Sequence, residues 1–184
     1  MAYATPPTFT GGTELTAADL NILGDDIVDL DARVDARAFS GVRVYRVSAS
    51  PQTIGDTSIT SIIWPGGNET FDVTGWHSSS DSFLTVPSDA VPPGYTRIVV
   101  HCNALLAWEN APNGGRIAAI LHNGSQMIVN SFDARSSDGV DHVMTEYVVC
   151  EAGDTFEVTG YQTSGGSIDV TRASLTVVVH APLD

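Results

Sequence analysis

Two hydrophobic rhythms divide the chain. In the first, apolar residues fall at Leu20, Leu23, Ile27, Leu30 and Val34, spaced alternately by three and four, while Asp25, Asp26, Asp29, Asp31 and Asp35 take the other faces. On a cylinder of 3.6 residues per turn this makes one narrow apolar stripe, and it predicts an α-helix. Thr16 offers a capping oxygen, with Asp19 three residues on as a variant capping box, so the helix is expected from Ala17 to about Arg37. Such a helix is not stable alone. It is short, Gly24 costs about 1 kcal/mol relative to alanine, and Asp26 and Asp31 would repel across a parallel interface. A partner surface must supply the remaining stability.

From Val42 onward the period becomes two. Phe156 and Val158 alternate with Thr155, Glu157 and Thr159, and Leu175, Val177 and Val179 alternate with Thr176 and His180, the pattern of half-buried strands. Similar segments cover Val42 to Ala49, Ser58 to Trp64, Thr70 to Val73, Ser82 to Val86, Thr96 to Trp108, Arg116 to His122, Gln126 to Phe132 and His142 to Cys150. Asn123-Gly124 fits a two-residue hairpin turn, while Pro92-Pro93-Gly94 and Gly165-Gly166 interrupt the strands. About ten short strands are too many for one open sheet, so the expected fold is mainly β, an antiparallel jelly-roll sandwich of two stacked sheets.

Ahead of the helix, Met1 to Gly12 carries Tyr3, Phe9, Pro6-Pro7 and Gly11-Gly12. That composition cannot form a helix but can lie extended along another surface. The expected organisation is therefore an arm and anchoring helix over residues 1–40 and a jelly-roll domain over 41–184. Tyr3, Phe9, Leu20, Leu23, Ile27, Leu30 and Val34 are the candidate partner-binding residues.

Charge narrows the partners. The formal net charge is -14, and all eight basic residues are arginine. An acidic surface repels a phosphate backbone, so no nucleic-acid partner is expected. The missing lysine removes Schiff-base and P-loop lysine chemistry. No apolar run approaches the roughly twenty residues that span a bilayer, and Met1 to Thr10 lacks the pattern of a signal peptide, so no membrane partner is expected. Cys102 and Cys150 lie in apolar β-type stretches, where thiols behave as small buried hydrophobes.

Catalytic and metal chemistry find little support. His77, His101, His122, His142 and His180 stand far apart without metal-ligand spacing. Ser78 to Ser80 and Ser136-Ser137 read as loops, not as a nucleophile elbow. Asp56, Asp72, Asp81 and Asp154 could approach one another, but an acid–base pair also needs one carboxyl in an apolar pocket. Asp133, Asp138 and Asp141 suit calcium by type and lack its twelve-residue loop pattern. No cofactor and no enzymatic activity are expected. Trp64, Trp76, Trp108 and Tyr161 would offer stacking faces to a host glycan if exposed, and are core or subunit contacts otherwise.

Several motifs occur in a telling order. Phe83-Leu84-Thr85-Val86-Pro87 leads through Pro93-Gly94-Tyr95 into a long apolar strand; Gly115-Arg116, Asn123-Gly124, Ala152-Gly153-Asp154-Thr155 and Gln162 follow. This order resembles the trimeric jelly roll of the complement and tumour-necrosis-factor family over about Val42 to Pro182. The chain departs from animal members by having Tyr95-Thr96 where a double aromatic is common, so trimer contacts are not transferred residue by residue. Gly12 to Gly24, GTELTAADLNILG, resembles a leader of structural and tail-associated proteins of actinobacterial phages. Together the resemblances imply a non-enzymatic virion protein, foremost a homotrimeric capsid decoration (minor capsid) protein on the virion surface, assembled in the host cytoplasm. Its partners would be further copies of itself and major capsid or tail proteins. The alternative is a tail-fibre or minor tail protein whose jelly-roll head binds a receptor or glycan. The helix seam, with Ile27 and Val34 at one position and Leu23 and Leu30 at the other, favours a dimer if helices pair in parallel. The resemblance instead implies three chains, and both fit if the stripe docks on another protein while the jelly rolls trimerise through their sheets.

Overall fold

The computed structural model describes residues 40–111, 113–134 and 140–184. The expected arm and helix, with Tyr3, Phe9, Leu20, Leu23, Ile27, Leu30 and Val34, lie outside the described residues, as does Asp138.

The described residues form eleven strands: β1 (Gly41–Arg46), β2 (Gln52–Ile54), β3 (Thr60–Ser61), β4 (Glu69–Val73), β5 (Phe83–Thr85), β6 (Arg97–Trp108), β7 (Gly115–His122), β8 (Ser125–Asp133), β9 (Asp141–Cys150), β10 (Thr155–Gln162) and β11 (Ile168–Leu183). A single 3-10 turn, Ser88–Ala90, precedes β6, and no α-helix occurs among the described residues. Every strand pairing is antiparallel. The first sheet runs β4-β1-β11-β6-β9, with β2 also pairing β11; the second runs β3-β10-β7-β8, with β5 also pairing β10. The chain crosses between sheets after β2, β3, β4, β5, β6, β8, β9 and β10, the winding of a jelly roll.

Alternation drives this layering. In β6, Ile98, Val100, Cys102, Ala104 and Leu106 are buried, while Val99, His101, Asn103 and Leu105 face outward. Val42 and Val44 of β1, Leu175 and Val177 of β11, and Phe156 and Val158 of β10 fill the same interior. Gly160 lets the sheets close at one end. A Cβ there would lie 2.6 Å from Ile54 Cδ1 and 3.0 Å from Trp108 Cη2, so any side chain must displace the tryptophan ring.

Two motifs far apart in sequence form one knot. Asn123 and Gly124 both take positive φ, 51° and 74°, the requirement of a type I′ hairpin. The Asn123 side chain then reaches the start of β10, donating to Asp154 Oδ1 at 2.7 Å and accepting from the Thr155 amide at 2.9 Å. Asp154 Oδ2 also accepts from the Glu151 amide and pairs with His122 Nε2, each at 2.9 Å. Burial alone would raise the Asp154 pKa, but these donors outweigh it and hold the carboxyl below its ordinary value.

Three of the buried polar side chains hold loops. Arg46 donates to the carbonyls of Ser50, Pro51 and Ile63, and Arg116 to those of Ala111, Asn113 and Gly115. Gln162 joins the Ile54 and Gly166 carbonyls through Nε2 and accepts from the Ser164 amide. Cys102 and Cys150 are both free thiols in the interior. Register places Cys102 opposite Glu146 and Cys150 opposite Ile98. At about 3.3 Å per residue this separates the cysteines by about 13 Å along the strands, beyond disulfide reach. Burial pushes the Cys150 pKa up to about 12 and that of Cys102 higher still.

Candidate functional site

The outward-facing side of the first sheet is the surface most unlike the rest of the molecule. Register sets its side chains in rows across β11, β6 and β9: Val178, His101 and Tyr147; Thr176, Asn103 and Thr145; Ser174, Leu105 and Val143. On β1, Arg43 extends the second row and Tyr45 the third. These rows contain no carboxylate, in a chain that has 22. The next row, Arg172, Ala107 and Asp141, contains one, 3.5 Å from Arg172.

Aromatic contacts organise the middle. The His101 ring stacks on Tyr147 with centroids 4.7 Å apart, and Tyr147 meets His180 edge-on at 5.3 Å. His101 Nε2 and Thr145 Oγ1 are 2.7 Å apart, which fixes the ring. Tyr147 nevertheless stays 56% exposed, with Val143 and Val149 also exposed on the same strand.

Apolar exposure continues around the β8–β9 side, where each sheet ends in a strand that no further described strand pairs. Val129 and Phe132 of β8 are exposed there. Phe132 pairs across from Arg116, whose side chain is buried, so it belongs to the inward-facing row and is still 59% exposed. An apolar side beside unpaired edge backbone is a template for association with another chain.

At the β1–β11 end of the face lies an open dent of about 310 Å³ lined by Arg43, Tyr45, Arg46, Leu105 and Arg172, among others. Arg43 meets no carboxylate among the described residues, while the Arg46 guanidinium is held by backbone carbonyls.

The described residues singled out from sequence are dispersed over the domain. His77 Nδ1 lies 2.6 Å from Glu69 Oε1 with its ring buried, and His122 belongs to the Asp154 knot. His142 is buried on β9, and burial lowers its pKa. Asp56, Asp72 and Asp154 each hold a different stretch of backbone: Asp56 accepts from the Gly165 amide, Asp72 from those of Trp76 and His77, and Asp154 from that of Glu151. Among the described residues, no three His, Cys, Asp or Glu side chains are grouped to hold a metal. Trp64, Trp76 and Trp108 are at most 3% exposed, which removes them as sugar-stacking platforms, and Tyr161 is half-buried. No helix among the described residues is long and apolar enough to cross a membrane.

The sequence reading did not single out Arg43, Tyr45, Val143, Tyr147, Val149 or Arg172. One signal was available. In His142 to Cys150 apolar residues occupy both parities, with Val143, Tyr147 and Val149 on one and Met144, Val148 and Cys150 on the other. A strand with two apolar faces is covered on both.

No family model matches the chain, and no curated protein does either. Solved structures do share its fold. The Eiger tumour necrosis factor of S. frugiperda aligns with TM-score 0.51 and 10% identity over 80% of this chain and 96% of that one. A PRD1 vertex protein aligns with TM-score 0.50 and 13% identity over 78% and 73%. The globular domain of a zebrafish complement 1qA protein aligns with TM-score 0.44 and 12% identity over 75% and 94%. The chain therefore has a jelly-roll fold of the tumour-necrosis-factor kind, similar also to that of a viral vertex protein.

Proposed function

We propose that this protein is a non-enzymatic structural component of a virus particle, a homotrimeric capsid decoration protein whose copies associate through the outer face of the first sheet. One observation carries the reading: a strongly acidic chain keeps that face almost free of carboxylates and places Leu105, Val143, Tyr147 and Val149 on it. Apolar and aromatic side chains depleted of like charge are the composition of an interface core. The fold likeness to a PRD1 vertex protein supports a place on a particle. The residue 1–40 segment, with its one apolar stripe, supplies the grip on major capsid or tail proteins, and the net charge suits display away from packaged nucleic acid.

The test is the mass of the full chain in solution, by light scattering across concentration, together with antibody labelling of intact particles under the electron microscope. A trimer and a labelled outer shell are expected. A monomer at every concentration would overturn the association face, and unlabelled particles would overturn the location.

A further inference from the structure

The outer face of the first sheet and the edge beside it differ in charge as well as shape. At one end, Arg43 and Arg172 rim the dent over Leu105, with Tyr45 between them and Arg46 adding its charge from below. At the other, β8 and β9 hold three carboxylates, Asp133, Asp141 and Glu146. Asp141 lies near Arg172 of its own chain, with both side chains more than half exposed. Asp133 and Glu146 meet no cation among the described residues, and the Glu146 carboxylate accepts only from the neighbouring Tyr147 amide. Glu146 sits opposite buried Cys102, in the inward-facing row of β9, yet it is exposed at the edge.

We infer that the arginine dent receives the carboxylate of Glu146, with Asp133 of the same β8–β9 side engaged further along, from a second copy of this chain, so that copies join head to tail. The inference rests on the self-association reading above and adds its direction and its charge pairs. Copies that each carry -14 repel one another, so apolar contact alone must work against that repulsion. Pairing these carboxylates with Arg43, which meets none among the described residues, and with Arg172, whose 3.5 Å contact with Asp141 is exposed, relieves it at the point of contact, and the arginine fork suits a carboxylate. Exposed Phe132 and Tyr147 adjoin Asp133 and Glu146 along their strands and would shield the pairs from water. Donor and acceptor surfaces lie toward opposite sides of one sheet, so each copy can offer one of them to each of two neighbours, which is a heterologous contact. Such contacts repeat until a ring closes, which fits a trimer better than a two-fold dimer.

The experiment is sedimentation velocity of the full chain in four forms: wild type, Arg43→Glu with Arg172→Glu, Asp133→Arg with Glu146→Arg, and all four substitutions together. Circular dichroism melts establish that each form folds. Wild type is expected to associate, each charge reversal to weaken association at least about tenfold, and the fourfold exchange to restore it. Undiminished assembly of Arg43→Glu/Arg172→Glu, or a folded fourfold variant that stays dissociated, overturns the pairing while leaving association through this face intact. A monomeric wild type overturns both. Should a reversal not fold, Arg43→Gln with Arg172→Gln decides: salt between about 50 and 500 mM weakens wild-type association, and the glutamine form must lose most of that dependence. A glutamine form that retains it overturns the pairing.

Discussion

The two faces of the first sheet use the same five main strands for different purposes. Inward, Val42, Val44, Val100, Leu106, Met144, Leu175 and Val177 are sealed from solvent. Outward, Tyr45, Leu105, Val143 and Tyr147 alternate with Arg43, Asn103, Thr145 and Thr176. The inner face is uniform and tolerates no gap, because close packing is where its stability lies. The outer face is mixed, and its residues gain their full burial only when another surface arrives. If copies associate as proposed, stability and association are written on opposite sides of one layer, and substitutions should separate them.

The largest effect belongs to the inner face. Leu106→Ala should cost about 3 kcal/mol of unfolding free energy through lost burial and a residual cavity, read from denaturant melts; a loss under about 1 kcal/mol would mean that the interior is loosely filled. Gly160→Ala should cost about 2 kcal/mol by overpacking against Ile54 and Trp108, and a neutral result would show that the Trp108 ring moves freely. Asp154→Ala should cost a similar or slightly smaller amount, about 1.5 kcal/mol, since it releases the Asn123 and Glu151 donors.

Acid should act at two stages. His142 has a lowered native pKa because burial disfavours its charged form; the unfolded chain then binds more protons, and stability falls as pH drops below the ordinary histidine value of about 6.5. His142→Met should abolish that first decline. Asp154 contributes stability that is fully present above the unfolded carboxylate value and is lost as pH falls through its depressed native one, so its decline comes later. The smallest effect on the monomer is expected outside: Tyr147→Ser should shift unfolding by only about 0.5 kcal/mol while sharply weakening association. A large loss of monomer stability there would erase the distinction between the faces.

Much of this architecture was readable from alternation. The strands β6, β7, β9 and β10 lie within a residue of the segments expected for them, and Asn123-Gly124 takes the positive φ its turn demands. Two elements were not readable. β2 is only Gln52–Ile54 between Pro51 and Gly55, and it becomes a strand by pairing with Ile168 to Val170, more than a hundred residues away. The last strand was expected over Ser174 to His180 but spans Ile168–Leu183, because register shifts at Val170/Arg172 and Val179/Ala181 reset the phase of its pattern. The outer face escaped notice for a related reason. Its rows join residues from four strands, and only register shows that Arg43, Leu105 and Val143 share a surface. The anchoring residues Tyr3, Phe9, Leu20, Leu23, Ile27, Leu30 and Val34 lie outside the described residues.

β11 occupies the middle of the first sheet, flanked by β1 and β6 and joined by β2, yet it follows all ten other described strands in sequence. During synthesis the other strands of that layer emerge with a vacancy at their centre and wait beside the ribosome. Long-range pairing of this kind is slow and leaves apolar edges open meanwhile. Stalled or shortened translation products of this protein should therefore be chaperone clients and aggregation seeds, and should not behave as smaller versions of the domain.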